Sequence, residues 1–169
     1  MDETEGIICE RKLTLCPTLA DLSIPEVLQD CSHCTDFTLH CCSCYNRRLS
    51  LPKSLRSSIP CHHFRIIFTD GACANNGLPT ARAGAGVAYG ADADSRLSIP
   101  ITDLEDSFPL RSNQRAELYA AKAGVEFMAE ADEAYSTSPK GKPRSWIVAT
   151  DSEYVVKGIT EWLPTWKVC

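Results

Sequence analysis

The sequence predicts an α/β fold: a mixed sheet with three antiparallel strands, followed by a helix, a fourth strand and a second helix. A β-branched and aromatic run at residues 64–69 indicates the first strand. Two further runs follow after close connections, which is typical of an antiparallel meander. A long amphipathic segment then leads to residues 146–150, which are apolar on both faces and are therefore expected in the centre of the sheet.

The residues before the first strand have a different character. Residues 1–63 are expected to form a cysteine-rich extension and linker, and residues 64–169 the α/β domain. Ser23 is a candidate cap for a short helix over residues 24–28. Residues 45–63 combine basic residues with serines and prolines, which favours a linker.

Each element of the domain has a local signal. The strands are predicted at residues 64–69, 83–89, 95–101 and 146–150. A helix capped by Ser112 or Asn113 runs to about Glu130, because apolar and small residues recur there at helical spacing. A second helix is predicted over residues 153–163, and Pro164 is expected to end it.

The composition is that of a soluble globular protein, with 44% hydrophobic and 23% charged residues among 169. No stretch approaches the roughly 18 to 20 apolar residues of a membrane span, and the acidic N-terminus lacks the basic start of a signal peptide. We therefore expect a monomer in the nucleus or cytoplasm, without membrane association. The net charge of −5 argues against a broad basic surface, so any nucleic-acid contact would be local.

Three carboxylates stand out. Asp70 and Asp151 each end an apolar run, and Glu117 opens the long helix on the face that should meet the sheet. A helical crossover allows the strands of Asp70 and Asp151 to be parallel neighbours, with Glu117 between them. Grouped carboxylates repel each other and resist desolvation, which a divalent cation such as Mg²⁺ or Mn²⁺ would relieve. Each acid alone also has a structural explanation, as a turn residue, a first-turn acid or part of a helix cap.

Three segments carry a family resemblance: Phe68–Ala72, Asn113–Leu118 and Ala149–Val155 resemble the first three signature blocks of ribonuclease H. The run Gly158–Lys167 is similar to the tryptophan-bearing stretch that follows in that family. The resemblance covers residues 64–168 in the family's order. It is greatest to the cellular type 1 branch as found in fungi, and the block Asn113–Leu118 favours this family over related transposase, integrase and retroelement polymerase folds.

The resemblance implies a ribonuclease H-like mixed sheet and an endonuclease that hydrolyses the RNA strand of an RNA–DNA hybrid. In that family two Mg²⁺ ions, or Mn²⁺, take part in the hydrolysis. By resemblance they would be bridged by Asp70 and shared with Glu117 and Asp151.

The family's substrate contacts match further positions, which are Gly71, Ala72, Asn75, Asn113 and Gln114. By resemblance, the backbone at Gly71 and Ala72 would lie near RNA 2′-hydroxyls, and Asn113 and Gln114 would contact the minor groove. Asn75 or Asn76 would make a polar contact to the nucleic-acid backbone. Helix capping by Asn113 and turn formation at Asn75 are the structural alternatives.

The chain also departs from the family. No Asp or Glu follows Glu161, and all four histidines precede the first strand, so the family's fourth carboxylate and its histidine have no match. The last strand, the closing helix and the basic loop are missing as well. We expect weak or absent nuclease activity. The alternative is a non-catalytic hybrid-binding module or a degenerate nuclease with a zinc-binding segment.

The ten cysteines of the chain are many for its length. Cys31, Cys34, Cys41 and Cys44 form a C-x2-C-x6-C-x2-C array, which suits tetrahedral zinc. A reduced cysteine-rich tail is the open alternative, and a disulfide scaffold is disfavoured without a signal peptide. The segment 61–63, Cys-His-His, could add ligands but is interpreted mainly as the lead into the first strand.

Overall fold

The computed structural model describes residues 12–31, 35–58, 61–136 and 145–166. Its strands are β1 (Leu28–Asp30), β2 (Phe37–Leu39), β3 (Phe64–Ala74), β4 (Arg82–Ala88), β5 (Arg96–Ile101) and β6 (Ser145–Ala149). Its helices are α1 (Pro17–Ala20), α2 (Ile24–Val27), α3 (Cys42–Leu49), α4 (Asn113–Ser136), α5 (Glu153–Lys157) and α6 (Leu163–Trp166). Within these ranges no helix is both long enough and apolar enough to cross a membrane.

Strand β3 organises the sheet. It pairs antiparallel with β4, from Phe68↔Ala88 to Ala74↔Arg82, and β4 pairs antiparallel with β5. On its other side β3 pairs parallel with β6, from Phe64 to Phe68. The predicted meander and the parallel crossover are therefore confirmed. In the part of the chain that the structure describes, β6 pairs with β3 alone.

Part of the extension joins this sheet. β1 and β2 form an antiparallel pair, and β2 also pairs antiparallel with the first residues of β3, at Thr38↔Arg65. Arg65 Nη2 lies 2.8 Å from Asp36 Oδ2, and this buried ion pair ties the hairpin to β3. Sequence analysis did not predict β1 or β2, because three-residue strands show too little alternation to be recognised.

Residues interpreted as a linker contain helical structure. They include most of α3 and a 3-10 helix, Lys53–Ser58. Tyr45 of α3 packs against a buried apolar cluster formed by Leu19, Val27 and Leu39, so tertiary packing supports a helix that local propensity does not suggest. The predicted short helix near Ser23 is present as α2, whose Glu26 carboxylate accepts the Ser23 N–H at 2.8 Å.

Helix α4 covers β3 and begins where predicted. Ser112 Oγ accepts the Arg115 N–H at 3.3 Å, which caps the helix, and α4 runs on to Ser136. The two elements approach closely: a Cβ at Gly124 would lie 2.8 Å from Thr69 Cγ2. Small residues on this face of α4 therefore hold it against β3.

The C-terminal helical segment differs from the prediction. Pro164 does not end the helix, since α5 continues through a π-helical turn, Gly158–Trp162, into α6. In this turn the Leu163 N–H donates to the Gly158 carbonyl, five residues earlier. This wider turn lies directly before Pro164, which has no N–H to donate to an α-helical hydrogen bond.

Ion pairs hold the loop that leads into α4. Arg115 Nη2 lies 2.5 Å from Asp106 Oδ1, and Arg115 Nε donates to Asp106 Oδ2 at 2.8 Å. The neighbouring Arg111 is buried and pairs with Asp103 at 2.5 Å. Hydrogen bonding to Arg115 lowers the pKa of Asp106 to about 2. The charged form of Asp106 therefore stabilises the start of α4.

We expect this ion pair to make stability depend on pH. The pKa of Asp106 is lower in the folded chain than the usual 3.9 or so, so its contribution is present above about pH 4 and is lost as the pH falls towards 2. Urea denaturation of wild type and Asp106→Asn across this range should show a weaker pH dependence for the variant. Glu126→Gln, which removes the exposed Lys122–Glu126 pair, is the control and should keep the wild-type dependence. Equal pH slopes for Asp106→Asn and wild type would contradict the assignment.

Candidate functional site

The two aspartates reach one edge of the sheet because their strands are parallel neighbours. Phe68 of β3 is paired with Ala149 of β6, and each aspartate lies two residues further along its own strand direction. Asp70 is still within β3, opposite Gly86 of β4, whereas Asp151 follows the end of β6. The register of a parallel pair thus brings together two side chains that are 81 positions apart in the chain.

Helix α4 supplies the third carboxylate. Glu117 lies near the N-terminus of α4, and its Oε2 accepts the Gly71 N–H at 3.1 Å. Asp70, Glu117 and Asp151 each offer a carboxylate oxygen, and these oxygens lie within 4.8 Å of one another. The structure therefore brings together the three acids that the sequence singles out.

The three acids differ in exposure. Glu117 is buried, while Asp70 and Asp151 are exposed, unlike the apolar runs that precede them. Burial raises the pKa of Glu117; the Gly71 N–H opposes this, and the charges of Asp70 and Asp151 raise the pKa further. Hard carboxylate oxygens that repel one another at this spacing fit a divalent cation such as Mg²⁺ or Mn²⁺, whose charge would favour the ionised form of all three.

Gly71 is at the closest contact between the sheet and α4. A Cβ at this position would lie 2.2 Å from both the Ala116 carbonyl carbon and the Glu117 nitrogen. Gly71 is buried and its N–H is used by Glu117. Its position thus has a structural explanation, and the substrate contact suggested by resemblance stays a prediction.

The asparagines predicted to contact substrate also have structural roles. Asn113 Oδ1 accepts the Cys73 N–H at 3.1 Å, and the Asn113 N–H donates to Asn76 Oδ1 at 3.0 Å. Asn75 adopts a left-handed conformation with φ of 54°, and its side chain donates to the Thr80 carbonyl. These bonds tie the end of β3 to the start of α4. The role of Asn76 was not distinguished from that of Asn75 in the sequence, since an Asn-Asn pair in a turn gives no signal of which one bonds elsewhere.

The remaining predicted contacts, Ala72 and Gln114, are exposed, as is Asn113. An open groove lies beside Asp70 and Asp151 and is lined by Phe68, Ala88 and Leu97 among others. Arg96 brings a positive charge to this groove. Sequence analysis did not select Arg96, because a single arginine at the start of a strand has no motif around it.

The predicted cysteine ligands are only partly brought together. Cys41 and Cys44 are grouped with Cys61 and His63, whereas Cys31 Sγ lies 2.9 Å from His62 Nε2. Cys34 lies outside the described residues. Among the described residues, the group of possible metal ligands thus differs from the set predicted from the C-x2-C array. The reason is that the segment 61–63, which leads into β3, lies beside the start of α3. Cys16 and Cys42, which sequence analysis left unpaired, form a disulfide.

We expect Gly71→Ala to destabilise the chain, because its methyl group would overlap the backbone of α4. The free energy of unfolding in urea should fall by about 3 kcal/mol or more, which is the upper end of the cost of overpacking. Gly86→Ala is the matched control on the adjacent strand, where a Cβ would lie 3.8 Å from the Asp70 carbonyl oxygen. Similar losses in both variants would contradict the close approach at Gly71.

Comparisons with known proteins place the chain in a family. The family model described as RNase H matches residues 63–169. The ribonuclease H of Schizosaccharomyces pombe is 34% identical over 110 residues, which are 65% of this chain and 34% of that protein. The ribonuclease H of Cyanothece sp. is 40% identical over 102 residues, which are 60% of this chain and 53% of that protein.

A solved foamy viral protease-reverse transcriptase in complex with dsDNA aligns with a TM-score of 0.42 and 24% identity, over 65% of this chain and 62% of that one. The chain spans between about a third and about a half of the length of the two curated relatives above. The family model covers more than half of the chain, including the strand, the helix and the turn that bear the three carboxylates. This chain belongs to the ribonuclease H family.

Proposed function

We propose that this chain hydrolyses the RNA strand of RNA–DNA hybrids, with Mg²⁺ or Mn²⁺ held by Asp70, Glu117 and Asp151. The observation that carries the proposal is the convergence of these three carboxylates, from three separate elements, within 4.8 Å. The family match and the curated relatives named ribonuclease H support the reaction class. Bound metal would supply an activated water and would stabilise charge on the phosphate and on the leaving oxygen.

The chain's own residues preorganise this site. The Gly71 N–H holds Glu117 Oε2, so the buried carboxylate keeps its orientation before metal binds. Asp70 and Asp151 are exposed at the edge of the sheet, which leaves them accessible to a phosphate and its counterions. Asp70 lies on β3, which pairs with β6 and packs against α4, so its carboxylate would hold metal together with those of Asp151 and Glu117.

The hybrid is proposed to lie across the turn after β3 and the start of α4. The bonds from Cys73 and Asn76 place Asn113 close in space to the chain directly after Asp70. Exposed Ala72, Asn75, Asn113 and Gln114 are the proposed contacts to the RNA strand, where 2′-hydroxyls distinguish RNA from DNA. Arg96 beside the groove is proposed to contact a phosphate.

The number of carboxylates limits the expected rate. Among the described residues, three acids meet at this site, so two metal ions would share few protein ligands. We therefore expect weaker cleavage than a fourth carboxylate would allow. The alternative proposal, a hybrid-binding module without catalysis, uses the same exposed contacts and differs only in the outcome of a cleavage assay.

We expect metal-dependent cutting of a labelled RNA–DNA hybrid by the wild-type chain in Mg²⁺ or Mn²⁺. Asp70→Asn should lower the rate at least about 100-fold, because it removes charge from the metal site. Asp21→Asn, at an exposed position after α1, is the matched control and should cut at the wild-type rate.

Binding of the same hybrid, measured by fluorescence anisotropy, separates the two proposals. Folded wild-type protein that binds hybrid in preference to duplex DNA but does not cut it would replace the nuclease proposal with the binding module. Cutting that survives in Asp70→Asn would contradict the assignment of the site.

A further inference from the structure

The second cluster of metal-binding side chains lies at the opposite end of β3. It consists of Cys41, Cys44, Cys61 and His63, whose sulfur and ring nitrogen atoms lie within 4.8 Å of one another. Cys41 precedes α3, Cys44 lies in its first turn, and Cys61 and His63 directly precede β3. We propose that these four residues bind one structural zinc ion that joins the start of α3 to the residues directly before β3.

The distances fit a tetrahedral site. His63 Nδ1 lies 3.2 Å from Cys41 Sγ, 3.6 Å from Cys44 Sγ and 3.6 Å from Cys61 Sγ. With zinc–sulfur and zinc–nitrogen bonds of about 2.3 and 2.0 Å, the sulfur-to-nitrogen edge of a zinc tetrahedron is about 3.5 Å. All three edges from His63 are therefore close to the length that zinc requires.

Backbone donors support thiolates at this position. The Cys44 N–H donates to Cys41 Sγ and the Cys41 N–H donates to Cys61 Sγ, both at 3.4 Å. N–H groups directed at the sulfur of a metal ligand stabilise its negative charge and fix its orientation. Cys61 is only 1% exposed, so its thiolate would need a cation close by.

The type of ligand selects the metal and its role. Soft thiolates with one imidazole suit zinc and not Mg²⁺, which prefers oxygen. Four protein ligands complete a tetrahedron and leave no open position, which is the pattern of a structural site. All three cysteines are free thiols, whereas Cys42 beside them is bonded to Cys16.

A zinc ion at this site would connect two parts of the fold. Cys41 and Cys44 lie at the start of α3, and Cys61 and His63 directly precede the central strand β3. The His63 carbonyl also accepts the Ser145 N–H at 3.3 Å, so the proposed zinc site lies next to the start of β6. At about 3.3 Å per strand residue, the seven residues from His63 to Asp70 separate the zinc from the carboxylates by roughly 20 Å. The two metal sites are therefore independent.

The test is the zinc content of the full chain, purified without chelators from cells grown with zinc and measured by mass spectrometry. We expect about one zinc ion per folded wild-type chain. Cys44→Ser and His63→Ala should bind zinc at least about 10-fold more weakly in competition with a chromophoric chelator. Cys31→Ser and Cys73→Ser are the matched controls and should keep the wild-type affinity, since both lie outside the cluster.

Substitution with Co²⁺ keeps the proposal testable if a variant fails to fold. The wild-type chain should show the intense visible bands of a tetrahedral thiolate site and resist urea better with metal than after chelation. Folded wild type that binds neither Zn²⁺ nor Co²⁺ would overturn the proposal. So would loss of zinc in Cys31→Ser together with retention in His63→Ala, because that outcome would restore the ligand set of the C-x2-C array.

Discussion

The contact between Gly71 and the start of α4 is the constraint on which the carboxylate site depends. No side chain fits there, since a Cβ would lie 2.2 Å from the helix backbone. The approach lets the Gly71 N–H reach Glu117, while the Asn113–Cys73 bond holds the next residues of β3 to the same helix end. Strand, helix and buried acid are thus fixed as one unit, and a larger residue would separate all three.

Two acidic side chains near the N-terminus of α4, Asp106 and Glu117, have different electrostatic surroundings. Asp106 is held by Arg115, so its negative charge stabilises the folded chain without a metal. Glu117 has one N–H donor but is buried and faces Asp70 and Asp151, so burial and then these two charges raise its pKa. A divalent cation would counter that rise. The first arrangement stabilises the fold, and the second would be stabilised by a bound cation.

Strand β3 connects hard and soft ligand sets. The three carboxylates lie near its C-terminal end, and the three cysteine thiols lie with His63 next to its first residue. The hairpin of β1 and β2 pairs with the same strand, and Asp36 pairs with the buried Arg65. The extension is therefore continuous with the domain's sheet. The proposed zinc ion would strengthen a connection that hydrogen bonds and an ion pair already make.

The sequence by itself determined the elements of the domain and its three carboxylates, because strand and helix periodicity and short signature blocks are local properties of the chain. It did not determine which cysteines meet: among the described residues, Cys61 and His63 lie with Cys41 and Cys44, whereas Cys31 lies outside this group. Nor did it indicate that the helix passes Pro164, or that Gly71 serves Glu117. Only the tertiary structure decided the cysteine grouping and the role of Gly71, because both depend on contacts between segments far apart in sequence, whereas the passage through Pro164 depends on the local π-helical turn.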